Sequence, residues 1–161
     1  MASTLTVDNI VGATAASKVK LPAGAILQTV NFVSNGNNVM SGTSFTGTNL
    51  QATITPKYVD SKILILVATG VDTNTGGRGA NITVYRDNTT NLAINSSSPY
   101  MGYGIGHNSR LQVSTNIMFL DSPATTSATN YRLYLRSTDS GQVEMPGTYQ
   151  NQTITLLEIA Q

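Results

Sequence analysis

The chain has 161 residues, no cysteine, only 11% charged residues and a formal net charge of +1, against about 25% charged in an ordinary soluble domain. Its length fits one domain plus a short appendage, and the lack of cysteine excludes disulfides, thiolate metal sites and thiol nucleophiles. The nine Lys and Arg are scattered, so no face follows a phosphate backbone, and the Ser, Thr, Asn and Gly that supply the polarity desolvate against a neighbouring subunit more cheaply than ions.

The opening Met1-Ala2-Ser3-Thr4-Leu5 has no basic stretch followed by an apolar one, so no secretory signal is expected. Across residues 1–22, Leu5, Val7, Ile10 and Val11 sit among Ser, Thr, Asp and Asn at a spacing that fits neither a long helix nor a firm strand. This segment reads as an extended attachment arm, at most about 75 Å long, or as a frayed terminus, in front of a β domain over 23–161.

From Ala25 onward, short strands alternate with turn residues. Ile26 to Val33 is the first. Leu50, Ala52 and Ile54 alternate with Gln51, Thr53 and Thr55, which gives one apolar and one polar face. Lys62 to Val71 is almost continuously aliphatic, so it belongs in the middle of a sheet or under a partner on both faces. Its core, Ile63 to Ala68, is too short to cross a bilayer as a helix, and no membrane partner is expected. Asn81 to Arg86 places Ile82 and Val84 together, and Asn91 to Asn95 is expected to pair with it across the turn Asp87-Asn88-Thr89-Thr90.

Leu111, Val113, Ile117 and Phe119 alternate along a longer strand. Tyr131, Leu133 and Leu135 then oppose Arg132, Tyr134 and Arg136 with strict period two, and Thr153 to Ile159 forms the last strand. About eight strands without a convincing helix predict an all-β, two-sheet β-sandwich of jelly-roll type. Ser34 to Gly47 and Asp72 to Gly79 read as connections, rich in Gly, Asn, Ser and Thr.

Chemistry-bearing motifs are sparse. His107 is the one histidine, so every triad or general-base scheme must run through it, and it reads as a loop residue without a catalytic role. Asp72-Thr73-Asn74 offers oxygens to calcium, but no acidic residue closes such a site downstream, and Gly76-Gly77 reads as a turn. Gly102-Tyr103-Gly104-Ile105-Gly106 has neither the strand nor the helix that a phosphate loop needs, and reads as a flexible surface loop. Tyr100, Tyr103 and His107, flanked by Asn and Ser, form the cluster best suited to contact a glycan. The glutamates Glu144 and Glu158 stand in segments without an acidic neighbour, which argues against a depolymerase. The Asn-X-Ser/Thr triplets at Asn81, Asn88, Asn95 and Asn151 matter only in a secretory pathway. No enzyme activity, cofactor, metal or nucleic-acid partner is expected.

Several stretches resemble small β-structured virion surface proteins of tailed phages, especially those of cyanobacterial and marine hosts. The opening Ser3-Thr4-Leu5-Thr6-Val7-Asp8-Asn9-Ile10 with Lys20-Leu21-Pro22-Ala23-Gly24 is similar to their attachment leader. Thr55-Pro56, Asp60-Ser61-Lys62-Ile63-Leu64, Leu120-Asp121-Ser122-Pro123-Ala124 and Leu157-Glu158-Ile159-Ala160 are similar to segments of their globular domain. The resemblance implies a homotrimeric β-sandwich on the virion. It would serve either as a capsid cement (decoration) protein, anchored to the major capsid protein or other virion proteins through Leu5, Val7, Ile10 and Val11, or as a tail-fibre or tailspike knob contacting a host-surface glycan. A knob needs a shaft, and only the arm precedes the domain, so capsid decoration is the expected role.

Overall fold

Strands that bury one face need a second sheet to cover it, and the chain meets this need by folding a long hairpin over on itself. The computed structural model describes residues 21–73, 79–93, 95, 97–105 (for 103–105 the backbone alone), 111–147 and 150–161. Among them are eleven strands and no helix: β1 Ile26–Ser34, β2 Asn38–Met40, β3 Thr46–Ile54, β4 Lys62–Thr73, β5 Gly79–Arg86, β6 Thr90–Asn91, β7 Gly102–Ile105, β8 Leu111–Asp121, β9 Thr129–Ser137, β10 Val143–Met145 and β11 Gln152–Ile159.

The pairing is nested. β1 pairs with β11, β3 with β9, β4 with β8 and β5 with β7, all antiparallel. Added pairings of β11 with β4 and of β9 with β5 split the rolled hairpin into two sheets, with central orders β1-β11-β4-β8 and β3-β9-β5-β7. These are the two four-stranded sheets of a jelly roll, as the alternation predicts. The three short strands extend the edges: β10 and β2 beyond β11 on β4, and β6 beside β5.

The core lies between the sheets. Leu50, Ile54, Ile63, Ile65, Ile82, Leu133, Leu135, Ile154 and Leu156 are at most 1% exposed, each contributing roughly 1.5–3 kcal/mol of burial. Every second residue of β3, β4, β9 and β11 supplies this layer, so the period-two reading of those segments gives the register directly.

Four local expectations differ from the structure. Gly102–Ile105 is strand β7, paired with Gly79 to Ile82, rather than a surface loop. The expected Asn91–Asn95 strand reduces to Thr90–Asn91, because Asp87 (φ 50) and Asn88 (φ 58) make a tight left-handed turn and β7 then takes over the edge of β5. The Ser34–Gly47 connection contains β2. The expected Asp72–Gly79 connection gives up Asp72 and Thr73, both buried, to β4 and Gly79 to β5. No helix of the described residues is long and apolar enough to cross a membrane.

Candidate functional site: two outer sheet faces

One outer face follows from the aliphatic run. In β4 the odd residues Ile63, Ile65 and Val67 point into the core, which leaves Leu64, Leu66 and Ala68 on the outside. The register sets them in three cross-strand rows. Leu120, Leu64, Leu157 and Thr29 form one; Met118, Leu66, Thr155 and Asn31 the next; Asn116, Ala68, Thr153 and Val33 the third. None of these residues is charged. Met118 is 77% exposed, and it borders a groove of about 260 Å³ lined also by Leu66, Ala68, Asn116, Thr153 and Thr155. Among the described residues β8 pairs only with β4, so this face ends in an open strand edge.

The other outer face carries the cations. Arg132, Tyr134 and Arg136 alternate outward along β9, and Asn81, Thr83 and Tyr85 lie beside them on β5. The rings of Tyr85 and Tyr134 stack with centroids 4.1 Å apart, and Phe45 packs on Tyr85 at 6.2 Å. The Arg132 guanidinium carbon lies 6.0 Å from the Tyr134 ring, and that of Arg136 lies 4.5 Å from the Phe45 ring. The result is one continuous stack, Arg132–Tyr134–Tyr85–Phe45–Arg136, with a guanidinium at each end. Arg132 donates through Nε to the Thr48 carbonyl and through Nη2 to the Gly47 carbonyl, while Arg136 donates through Nε to Asn81 Oδ1. Tyr134 donates its hydroxyl to Asn88 Oδ1 at 3.1 Å.

Of the residues expected to contact a glycan, His107 lies outside the described residues. Tyr103 falls in β7 opposite Asn81, and Tyr100 is half-buried in the turn before β7, its N–H donating to the Ser98 carbonyl. The four arm residues Leu5, Val7, Ile10 and Val11 also lie outside the described residues, so the arm and its boundary with the domain stay expectations. Sequence reading missed the aromatic–guanidinium stack, although one signal was present: the polar side of the Tyr131–Arg136 alternation holds two arginines and a tyrosine.

Among the described residues, the segments that carry the phage resemblance meet at one end of the domain, held by hydrogen bonds. Glu158 is fully buried and accepts from Gln28 Nε2 (2.6 Å), the Lys57 N–H (2.7 Å) and Ser61 Oγ (2.7 Å). The Gly24 N–H donates to the Ala160 carbonyl. Asp121 receives Arg86 Nη1 on both oxygens (2.9 and 2.8 Å) and the Tyr131 hydroxyl at 2.8 Å, which ties β8 of one sheet to β5 and β9 of the other. Burial, reinforced by that bond to Asp121, pushes the Tyr131 phenol well above its ordinary range. These carboxylates are spent on structure. Glu144 does have an acidic neighbour in space, Asp72, across the β10–β4 pairing, but Asp72 is completely buried there instead of lining an open groove. Among the described residues no three His, Cys, Asp or Glu side chains group as metal ligands.

No protein-family model matches the chain, and no curated protein matches it. Among solved structures, it is similar to the chain of T=1 particles derived from infectious bursal virus, at 9% identity and a TM-score of 0.39, with 85% of this chain and 37% of that chain covered.

Proposed function

We propose that this protein is a structural component of a bacteriophage particle: a homotrimeric cement protein on the outer capsid surface, with residues 1–22 as the arm that engages the major capsid protein. The observation that supports this reading best is the uncharged, partly apolar outer face of the β1-β11-β4-β8 sheet. A face built from Leu64, Leu66, Met118, Leu120 and Leu157 among Thr and Asn can pack against neighbouring copies around a three-fold axis without like-charge repulsion or the desolvation of ions. The three rows span roughly 15 Å in each direction, which suits the apolar centre of an interface whose polar rim lies around it. The trimeric state and the virion address come from the resemblance to phage surface proteins. Capsid packing fits an uncharged face, because modest contacts repeated over a closed shell sum to a large stabilisation. The jelly roll also serves lectins and cupins, so the fold alone does not carry the assignment.

Native mass spectrometry tests the self-association. The protein should be a trimer at micromolar concentration, and Met118→Glu should yield a monomer with an unchanged β circular dichroism spectrum. A monomeric wild-type protein would overturn the assembly reading.

A further inference from the structure

The aromatic–guanidinium stack lies on the sheet opposite the apolar rows, and the assembly reading leaves it unused. We infer that this face binds an acidic polysaccharide, with Arg132 and Arg136 contacting its carboxylate or sulfate groups.

The stack fixes both guanidinia before any ligand arrives. Arg136 is held at Nε by Asn81 and against Phe45, so its Nη groups, which have no protein acceptor among the described residues, present a fork of donors. Arg132 is held at Nε and Nη2 by two backbone carbonyls, which leaves Nη1. A carboxylate or sulfate accepts two parallel N–H bonds from such a fork, and fixing the fork in advance lowers the ordering cost of binding. Among the described residues neither arginine is paired with a carboxylate, whereas Arg86 is, through Asp121.

The spacing and surroundings select the ligand class. Four residues apart on one strand, the two arginines stand about 13 Å from each other, which suits an extended chain with acidic groups at intervals more than a single small anion. Around them lie the amide and hydroxyl side chains of Asn88, Gln51, Thr53 and Asn130, groups that pair with sugar hydroxyls. The ring faces of Tyr85 and Tyr134 are taken up by each other, so no base can stack on them as single-strand binders require.

Isothermal titration of the full-length protein against three probes tests this: oligogalacturonate (carboxylated), dextran sulfate oligomers (sulfated) and unmodified dextran of matched length. At least one acidic probe should bind in a salt-sensitive manner and neutral dextran should not, and the stronger of the two acidic probes identifies the oxyanion. Arg136→Gln should weaken binding about tenfold with the melting temperature unchanged, and Arg132→Gln, which also strands the Thr48 and Gly47 carbonyls, should weaken it as much while lowering the melting temperature. If Arg136→Gln lowers the melting temperature, Arg136→Lys replaces it, which keeps the charge but loses the fork and should still weaken binding. No binding to either acidic probe at millimolar concentration, equal binding of neutral dextran, or equal binding of a single-stranded oligonucleotide of matched charge would overturn the inference, as would arginine variants that bind like wild type.

Discussion

Replacing Asp121 with Asn removes the negative charge that joins the two sheets while keeping the side-chain shape. Asp121 is 7% exposed, and both its oxygens accept from Arg86 Nη1, whose side chain is 25% exposed. Breaking a fully buried pair costs about 3–5 kcal/mol because the partner charge is left stranded. The quarter of Arg86 that reaches solvent relieves part of this, so about 2–4 kcal/mol is expected. For a chain of this size that corresponds to a fall in melting temperature of roughly 5–15 °C. Urea unfolding at neutral pH measures the cost, and a cycle through Tyr131→Phe apportions it, since Tyr131 donates to the same carboxylate at 2.8 Å. Converting all three to apolar residues (Arg86→Met, Asp121→Leu, Tyr131→Phe) should recover most of the lost stability, because no charge or hydroxyl is then stranded. A single variant Asp121→Asn within about 0.5 kcal/mol of wild type, with no coupling to Tyr131, would refute the reasoning.

The same tyrosine sets an alkaline limit. The folded Tyr131 holds its proton above the pH at which the unfolded residue releases it, so its contribution is complete below about pH 10 and declines by up to roughly 1.4 kcal/mol per pH unit above it. Tyr131→Phe should flatten that decline in denaturant titrations run from pH 8 to 11. Gly102→Ala should destabilise by about 1–3 kcal/mol, since the new Cβ would meet Ile82 Cγ1 at 2.7 Å and Thr115 Cγ2 at 2.8 Å between the sheets; thermal melting checks it. Deleting residues 2–22 should leave the β circular dichroism spectrum intact and reduce co-sedimentation with virions; loss of the spectrum would show that the arm belongs to the core.

How much of this was legible in the sequence depends on where each strand gets its stability. β3, β9 and β11 show period two because each buries one face against the opposite sheet, and Tyr131, Leu133 and Leu135 fall inside as their alternation requires. The unbroken run of β4 reads correctly as a central strand, since β11 and β10 pair on one side of it and β8 on the other. β7 leaves no such trace. Gly102 lets the backbone approach Ile82 and Thr115, and the strand pairs with residues twenty or more positions earlier. β2 and β10 are three residues each, formed by docking on one another and on the end of β4, which no local pattern encodes. The arginine–aromatic stack draws on Phe45, Tyr85 and the Arg132–Arg136 strand, so three of its five members were visible in one stretch of chain. The Tyr100–His107 segment has its aromatics as neighbours in sequence, whereas the stack gathers its members across two strands and a loop.

Gold-labelled antibody on intact phage particles tests the central assignment most directly. A cement protein should label the whole head in many copies, and particles lacking it should lose resistance to heat and low salt. Labelling confined to the tail, with adsorption lost and head stability unchanged in its absence, would contradict the capsid assignment and place the protein in a tail fibre.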